Sequence, residues 1–424
     1  MQSKTIRKMT LSEELQWRGM INQTTLGDIT KLDQKNWTFY HGFDCSADSQ
    51  AIGNLAAMMM DKVFMRHGCT AYILAGGATS LIGDPGGKDS ERPLQDEATI
   101  AHNAAQAEIQ LKRILQGYNF TLVNNLDWTK NLTVIAFLRD IGKYFSMTPL
   151  VQRDYVAKRL GAEGSGISYT EFSYTLLQGM DYLHLFDTYG VTLQLGGADQ
   201  WGNCLSGVEL IRRSRDKEVH VITQPLVMNR ATGKKFGKSE EGAVWLDAKK
   251  TSPTQFYQFW INVDDEGVED YLKVYTELDK ESVDKVMARH RTHPEKRHAQ
   301  TVLAERVTRI VHGEREMTAA QQVTQIITGA VSVAEASEAT IIAMRRELPT
   351  AKVDTSASVV AILVESGLAG SNSEARQLLA NKAVYINGTP VTKLHLESTD
   401  FQNSRLLLRK GKVLKNTALI ELRK

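Results

Sequence analysis

Five residues, Ala71 to Ala75 (AYILA), constrain this chain more than any other stretch. An unbroken apolar run of that length reads as a strand buried on both faces, the habit of parallel sheets covered by helices. It stops abruptly at GGATSLIGDPGGK. The pattern recurs: Thr38, Phe39 and Tyr40 end a strand that Gly42, Phe43 and Asp44 break, and Val191 to Leu195 runs into GGADQWGN. Strands that alternate with helical stretches and end in glycines and polar side chains predict an α/β domain. Its parallel sheet would be open, with a ligand crevice at the carboxyl ends of the strands.

The residues around those strand ends carry the candidate chemistry. Ala47 to Met60 has helical composition with Asp48 or Ser49 as N-cap, so backbone N–H groups are left facing the crevice. Gly53 would let a ligand approach that helix closely. The segment Gly76 to Arg92 has neither the GxxxxGK[ST] order of a P-loop nor the GxGxxG of a dinucleotide site, which argues against both chemistries. It places Asp84 in its middle, with Lys88 and Arg92 four residues apart at its far end. Farther on, Tyr174, Gln178 and Asp181 fall at i, i+4 and i+7 within an apolar, tyrosine-rich segment. On a helix they form one polar stripe, expected to line a pocket. Asp199 and Gln200 follow another strand end. In NRATGKKFGKSEEGAVW, glycines bracket Lys234, Lys235 and Lys238, predicting a mobile basic loop that could cover an anionic ligand.

A chain of 424 residues exceeds one compact core, so two or three domains are expected. Thr251 to about Gly329 reads as helical, starting at Pro253. Val331 to Asp354 has weak periodicity and contains Pro349, which predicts a flexible connection. Beyond it a helix ending at Gly367, a second helix capped by Ser371 or Ser373, and a strand and tight turn at Val384 to Gly388 form a compact module. The formal net charge is only +2, yet from Ala351 onward eleven Lys plus Arg face six Asp plus Glu, a net of +5. That asymmetry suits a polyanionic partner. Cys45, Cys69 and Cys204 make neither a disulfide framework nor a zinc spacing, as in a reducing cytoplasm. No apolar run is long enough for a membrane span, so a cytoplasmic protein is expected.

In order and spacing, YTEFSYTLLQGMD, LGGADQWGN, KFGKSEEGAVWLD and SPTQFYQFWIN resemble bacterial tyrosyl-tRNA synthetases, and SNSEARQLLANKAVYING resembles an S4-type RNA-binding module. The resemblance implies a Rossmann-like catalytic domain at 1–245, an α-helical domain at 246–330, a linker at 331–354 and an S4-like α+β domain at 355–424. It implies a homodimer that joins L-tyrosine to tRNA(Tyr) using ATP and an accompanying Mg²⁺, with no metal ligands of its own. Tyr40, Asp84, Tyr174, Gln178, Asp181 and Gln200 are the implied tyrosine contacts, with Tyr40 and Asp181 at the phenol. Gly42, Asp44, Gly53, Asn54, Gly197, Asp199 and Lys238 are implied on the ATP side. Lys88, Arg92, Lys235 and Lys238 would neutralise the pyrophosphate in the transition state, and Arg376 and Lys382 would contact RNA. The family's HIGH-type signature falls on Ala51, Ile52, Gly53 and Asn54, so both histidines are missing. A tyrosine- or RNA-binding protein that activates poorly, and a tryptophan-specific ligase, are the alternative readings.

Overall fold

A computed structural model of the chain describes residues 8–84, 94–152, 154–161, 164–230, 232–233, 236–239, 242–411, 413 and 416–423. The chain divides into two compact units, Met1–Asp247 with Asp264–Ala299, and Ala248–Val263 with Gln300–Lys424.

The first unit is built on strands β1 (Gln23–Thr24), β2 (Thr38–Asp44), β3 (Thr70–Gly76), β4 (Phe120–Asn124), β5 (Leu193–Gly197) and β6 (His220–Gln224). They lie in the order β1-β6-β5-β2-β3-β4, parallel except for β1. The chain builds outward from β2 through β3 to β4, then returns to lay β5 on the other side of β2. The sheet order therefore reverses between β2 and β5, and the strand ends Asp44 and Gly197 flank the crevice that such a reversal opens. Helices α1 (Leu11–Arg18), α2 (Ile52–Arg66), α3 (Gly77–Ile82), α4 (Glu97–Ile114), α5 (Leu126–Thr129), α6 (Val134–Ala136), α7 (Met147–Val151), α8 (Asp154–Leu160), α9 (Tyr169–Tyr189) and α10 (Trp201–Arg215) surround it. As the AYILA run requires, Ala71, Ile73, Leu74 and Ala75 are buried. Glycine sets how closely α9 and α10 approach: a Cβ on Gly207 would lie 2.7 Å from the Tyr182 ring, and one on Gly179 3.2 Å from Ser206 Oγ. A short hairpin of β7 (Lys238–Ser239) and β8 (Gly242–Ala243) follows β6.

The second unit begins with α11 (Pro253–Ile261), whose Ser252 and Gln255 form a capping box. The helices α12 (Val268–Tyr275) and α13 (Lys280–Thr292) belong to the first unit, and α14 (His298–His312) carries the boundary. In the second unit follow α15 (Glu314–Thr328), α16 (Glu338–Glu347), β9 (Thr350–Val353), α17 (Val359–Glu365), α18 (Asn372–Ala380), β10 (Val384–Ile386), β11 (Thr389–Val391), β12 (Arg405–Lys410) and β13 (Thr417–Leu422). The five strands form a sheet in the order β11-β10-β12-β13-β9.

Several expectations are corrected. β2 runs through Gly42 to Asp44, because it pairs with β3 along its whole length to Asp44↔Gly76. The following helix starts at Ile52, with Ala51 as N-cap in place of Asp48 or Ser49. Residues 49 and 50 are held out of the helix by long-range bonds: Leu246 N–H donates to Gln50 O at 2.9 Å, and Asp247 N–H to Ser49 Oγ at 3.1 Å. The start of the glycine-rich segment folds as α3. After α6 the chain continues as a π turn at Phe137–Ile141 and a 3₁₀ turn at Gly142–Tyr144. The segment 331–354 is no loose linker. It contains α16, whose Ile341 and Met344 pack with Val323, Leu407 and Leu419, and β9, which pairs in parallel with β13. The expected helical domain at 246–330 is shared between the two units.

Candidate active site

At the sheet reversal lies a cavity of about 430 Å³. Its walls are the ends of β2, β3 and β5, the first turn of α2, the inner face of α9, and Phe236, Gly237 and Ala243 of the basic loop. Of the residues singled out from the sequence, Tyr40, Gly42, Asp44, Gly53, Asn54, Asp84, Tyr174, Gln178, Asp181, Gly197, Asp199 and Gln200 all line it. Lys88, Arg92 and Lys235 lie outside the described residues, as does Lys234. Lys238 is placed by its backbone on β7. Arg376 and Lys382 belong to the second unit, both exposed, on α18 and just after it.

The helical stripe is buried, as expected for a pocket lining. Asp181 is only 2% exposed. One of its oxygens accepts from Trp128 Nε1 and the other from Asn125 Nδ2, each at 2.9 Å. Burial pushes this carboxyl up to about 7, against the pull of those two donors and with a further push from Asp44. Tyr40 is 1% exposed, and its ring packs edge-on against Tyr182 with centroids 5.1 Å apart. Its hydroxyl is buried and has no hydrogen-bond partner among the described residues. Desolvation, then the nearby Cys204 and Asp181, raise its pKa far above the usual phenol range, so it stays protonated and able to donate. A buried polar atom without a partner is costly in a folded protein and points to a missing ligand.

Beside it, the Tyr174 hydroxyl donates to both oxygens of Asp44, at 3.1 and 3.2 Å. Thr79 Oγ1 donates to Asp44 Oδ1 at 3.3 Å and accepts from Asn125 Nδ2 at 3.2 Å. Asn125 Oδ1 takes the Ala78 N–H at the start of α3, at 2.7 Å. Gln200 donates to Asp84 at 2.7 Å and accepts from Asn203 at 3.1 Å, while Gln178 Nε2 is 3.7 Å from Cys204 Sγ. Small residues keep these networks in place. A Cβ on Gly77 would fall 2.3 Å from Asn124 Oδ1, and one on Gly76 2.9 Å from Asp44 Oδ1.

The start of α2 differs from expectation in which N–H groups it leaves open. Ile52 N–H donates to Val244 O at 3.1 Å and Asn54 N–H to Ala51 O at 2.9 Å. Among the described residues Gly53 N–H is the group left to the crevice, and a Cβ on Gly53 would meet nothing within 4 Å, so a ligand can approach there. Asn54 Oδ1 accepts from Ala51 N–H at 3.1 Å, turning its amide NH₂ outward. Ala51 bridges Trp245, and a Cβ on Gly237 (φ +95°) would lie 3.3 Å from Ile52 Cβ. The basic loop is therefore anchored on this helix start. Phe236 pins it further, stacking on Tyr271 at 4.2 Å.

Sequence reasoning missed Asn125, Trp128, Thr79, Asn203, Cys204 and Gln194, all of which line the cavity or hold a residue that does. The one signal for Asn125 was its place just after a strand end, the position that identified Asp44 and Asp199.

Fold and site together define an α/β domain of the doubly wound class with a polar, tyrosine-lined pocket at its sheet reversal. Residues 32–328 match the family model described as class I tRNA synthetases (W and Y), and residues 340–419 match that of the tyrosine–tRNA ligase SYY-like C-terminal domain. The chain is 42% identical over 425 residues to tyrosine–tRNA ligase 2 of Bacillus anthracis, covering 98% of this chain and 100% of that one. It is 43% identical over 388 residues to the tyrosine–tRNA ligase of Bacillus caldotenax, covering 90% and 91%. The crystal structure of a C-terminally truncated mitochondrial tyrosyl-tRNA synthetase of Aspergillus nidulans superposes with a TM-score of 0.67 at 30% identity, over 76% of this chain and 95% of that one. The chain belongs to the class I tRNA synthetases of the tryptophan and tyrosine family.

Proposed function

We propose that the chain is a tyrosine–tRNA ligase whose cavity activates L-tyrosine with ATP and then delivers the tyrosyl group to tRNA(Tyr). The observation that carries this is the unpartnered Tyr40 hydroxyl beside the buried Asp181 carboxylate. A phenol placed between them would donate to Asp181 and accept from Tyr40. Phenylalanine would leave the Tyr40 hydroxyl unpaired and bring no donor to Asp181, and an indole N–H could satisfy only the acid. Trp128 and Asn125 fix the carboxylate so that little reorganisation accompanies binding.

Activation is attack of the tyrosine carboxylate on the α-phosphorus of ATP, with pyrophosphate leaving in line. The protein need only position the two reactants and stabilise charge on phosphate oxygens. Gly53 N–H and the Asn54 amide supply donors from the start of α2, while Asp44, Gly197 and Asp199 face the ribose side. Lys88, Arg92, Lys235 and Lys238 are assigned to the pyrophosphate. Mg²⁺ would arrive with ATP, coordinated mainly by phosphates and water. Arg376 and Lys382, on an exposed surface of the C-terminal module, are assigned to tRNA phosphates. No helix among the described residues is long and apolar enough to cross a membrane, and Cys45, Cys69 and Cys204 form no disulfide; a cytoplasmic location fits both. Exposed Val134, Ile135, Leu138 and Met147 crowd one short stretch of chain, which supports a homodimer. Tyrosine-dependent ATP–pyrophosphate exchange tests the main reading. Exchange at background with millimolar tyrosine and ATP, or faster exchange with tryptophan, would overturn it.

A further inference from the structure

Trp128 faces two ways. Its indole N–H is spent on Asp181, at 2.9 Å, and so supports the cavity at the sheet reversal. Its ring lines another cavity, of about 660 Å³, inside the same unit. One wall of that space is a stripe of α4: Ala101, Ala104, Ala105 and Glu108 recur at i, i+3, i+4 and i+7. The second is β4, the last strand of its sheet, whose outer edge pairs with no strand among the described residues. The third is aromatic. Trp128 stacks on His184 with centroids 4.2 Å apart and planes 16° from parallel. Tyr189 stands edge-on to His184 at 6.4 Å, and Tyr72 steadies it by stacking at 4.7 Å.

These walls select for one kind of ligand. The alanines leave a slot beside flat π faces, which suits a planar ring. The charged groups that line the space are Glu108 and Asp127, with no lysine or arginine among the described lining residues. Glu108 is partly neutralised by Lys112, which reaches it at 2.6 Å, whereas Asp127 is exposed and has no ion-pair partner among the described residues. Burial lowers the pKa of His184 against the pull of Asp187, so the stacked imidazole is neutral at pH 7 and opposes no cation. A flat cation placed there gains both from the aromatic faces and from the unpaired carboxylate.

We propose that this cavity is a second ligand site, which takes a small planar aromatic cation between α4 and the stacked pair of Trp128 and His184, and that its occupant tightens tyrosine binding through the indole. The coupling rests on the cavity at the sheet reversal being the tyrosine site. A cation against the indole draws electron density from the ring and makes its N–H a stronger donor to Asp181. That favours the ionised acid, whose carboxyl burial otherwise pushes up to about 7, and an ionised acid is the better acceptor for a phenol. Tyrosine must in turn tighten the cation by the same factor.

The test uses the full chain at neutral pH, with N-methylquinolinium as probe and quinoline, uncharged there, as its neutral counterpart. Calorimetry should show one saturable quinolinium site per chain, bound about two- to fivefold more tightly than quinoline. D127N should weaken the cation about two- to fivefold and leave quinoline and tyrosine within about twofold of the wild type. A104F, which fills the slot, should abolish binding of both probes. Saturating N-methylquinolinium should lower the tyrosine Kd about two- to threefold, as when an acid titrating near neutrality is shifted toward its ionised form. W128F keeps a ring face but no N–H, so it should still bind the cation and lose that effect on tyrosine. Absence of saturable binding, as when a second copy of the chain covers this face, would overturn the proposal. So would displacement of the probe by tyrosine, or a tyrosine affinity that the probe leaves unchanged. Quinolinium binding that D127N weakens, in a protein that binds no tyrosine, would instead support the second site and remove the reading of the first cavity.

Discussion

Replacing Tyr40 by phenylalanine should stabilise the free protein and weaken tyrosine binding, two effects of opposite sign from one oxygen. The ring of Tyr40 keeps its edge-on contact with Tyr182 in the variant. The hydroxyl it loses is buried and lacks a partner among the described residues. Leaving such a group unsatisfied costs about 1–3 kcal/mol. Some of that is offset by the small void left behind, so a gain of about 1 kcal/mol is expected. In a unit of this size that raises the melting temperature by about 2–4 °C. In the complex the same hydroxyl is a hydrogen-bond donor to the substrate phenol. Its loss should weaken tyrosine by about 0.5–1.5 kcal/mol, or about two- to twelvefold in Kd. Calorimetry of the free protein and equilibrium dialysis with labelled tyrosine read the two effects separately. A lower melting temperature would show that the hydroxyl is already satisfied in the free protein. Unchanged tyrosine affinity would show that the phenol binds elsewhere.

Three further outcomes are expected. Asp181 carries a pKa of about 7 against an ordinary 3.8, so its folded form holds a proton that the unfolded chain releases. Its contribution is therefore present below about pH 4 and lost as pH rises through 7, by roughly 4 kcal/mol at most. Melting temperatures from pH 5 to 8 should fall more steeply for the wild type than for D181N, and parallel curves would refute the assignment. Gly77→Ala should push Asn124 away from its 2.3 Å clash and disturb the neighbouring Asn125, raising KM for tyrosine severalfold in exchange assays while KM for ATP moves less. Arg376→Ala combined with Lys382→Ala should leave exchange unchanged, weaken tRNA binding at every sequence tested, and reduce its salt slope by roughly 2.

The parts of this molecule written into local periodicity were legible before any coordinates. The buried AYILA strand follows from its unbroken apolar run, the stripe of Tyr174, Gln178 and Asp181 from the 3.6-residue helical repeat, and the start of α11 from its leading Pro253. What failed depended on partners far along the chain. The start of α2 is set by hydrogen bonds to residues 244–247, nearly two hundred positions away, and local cap preference alone favoured Asp48 or Ser49. The segment 331–354 looked like a connection because its order comes from β9 pairing with β13, and from α16 packing against Leu407 and Leu419. Asn125 and Trp128 could not be assigned to Asp181 from sequence, since more than fifty residues separate them.

The small network around Asn125 has a thermodynamic consequence. Its amide bonds both Asp181 and Thr79, and Thr79 in turn bonds Asp44, which is held by Tyr174. One unbroken line of polar contacts therefore joins the end of the cavity assigned to the phenol with the end assigned to the nucleotide. A substrate that draws charge at Asp181 also polarises Asn125, and with it the donors on Asp44. Whatever factor tyrosine applies to the affinity for ATP, ATP must apply to the affinity for tyrosine. The order in which the two substrates arrive can then change the route to the ternary complex, while its free energy stays the same.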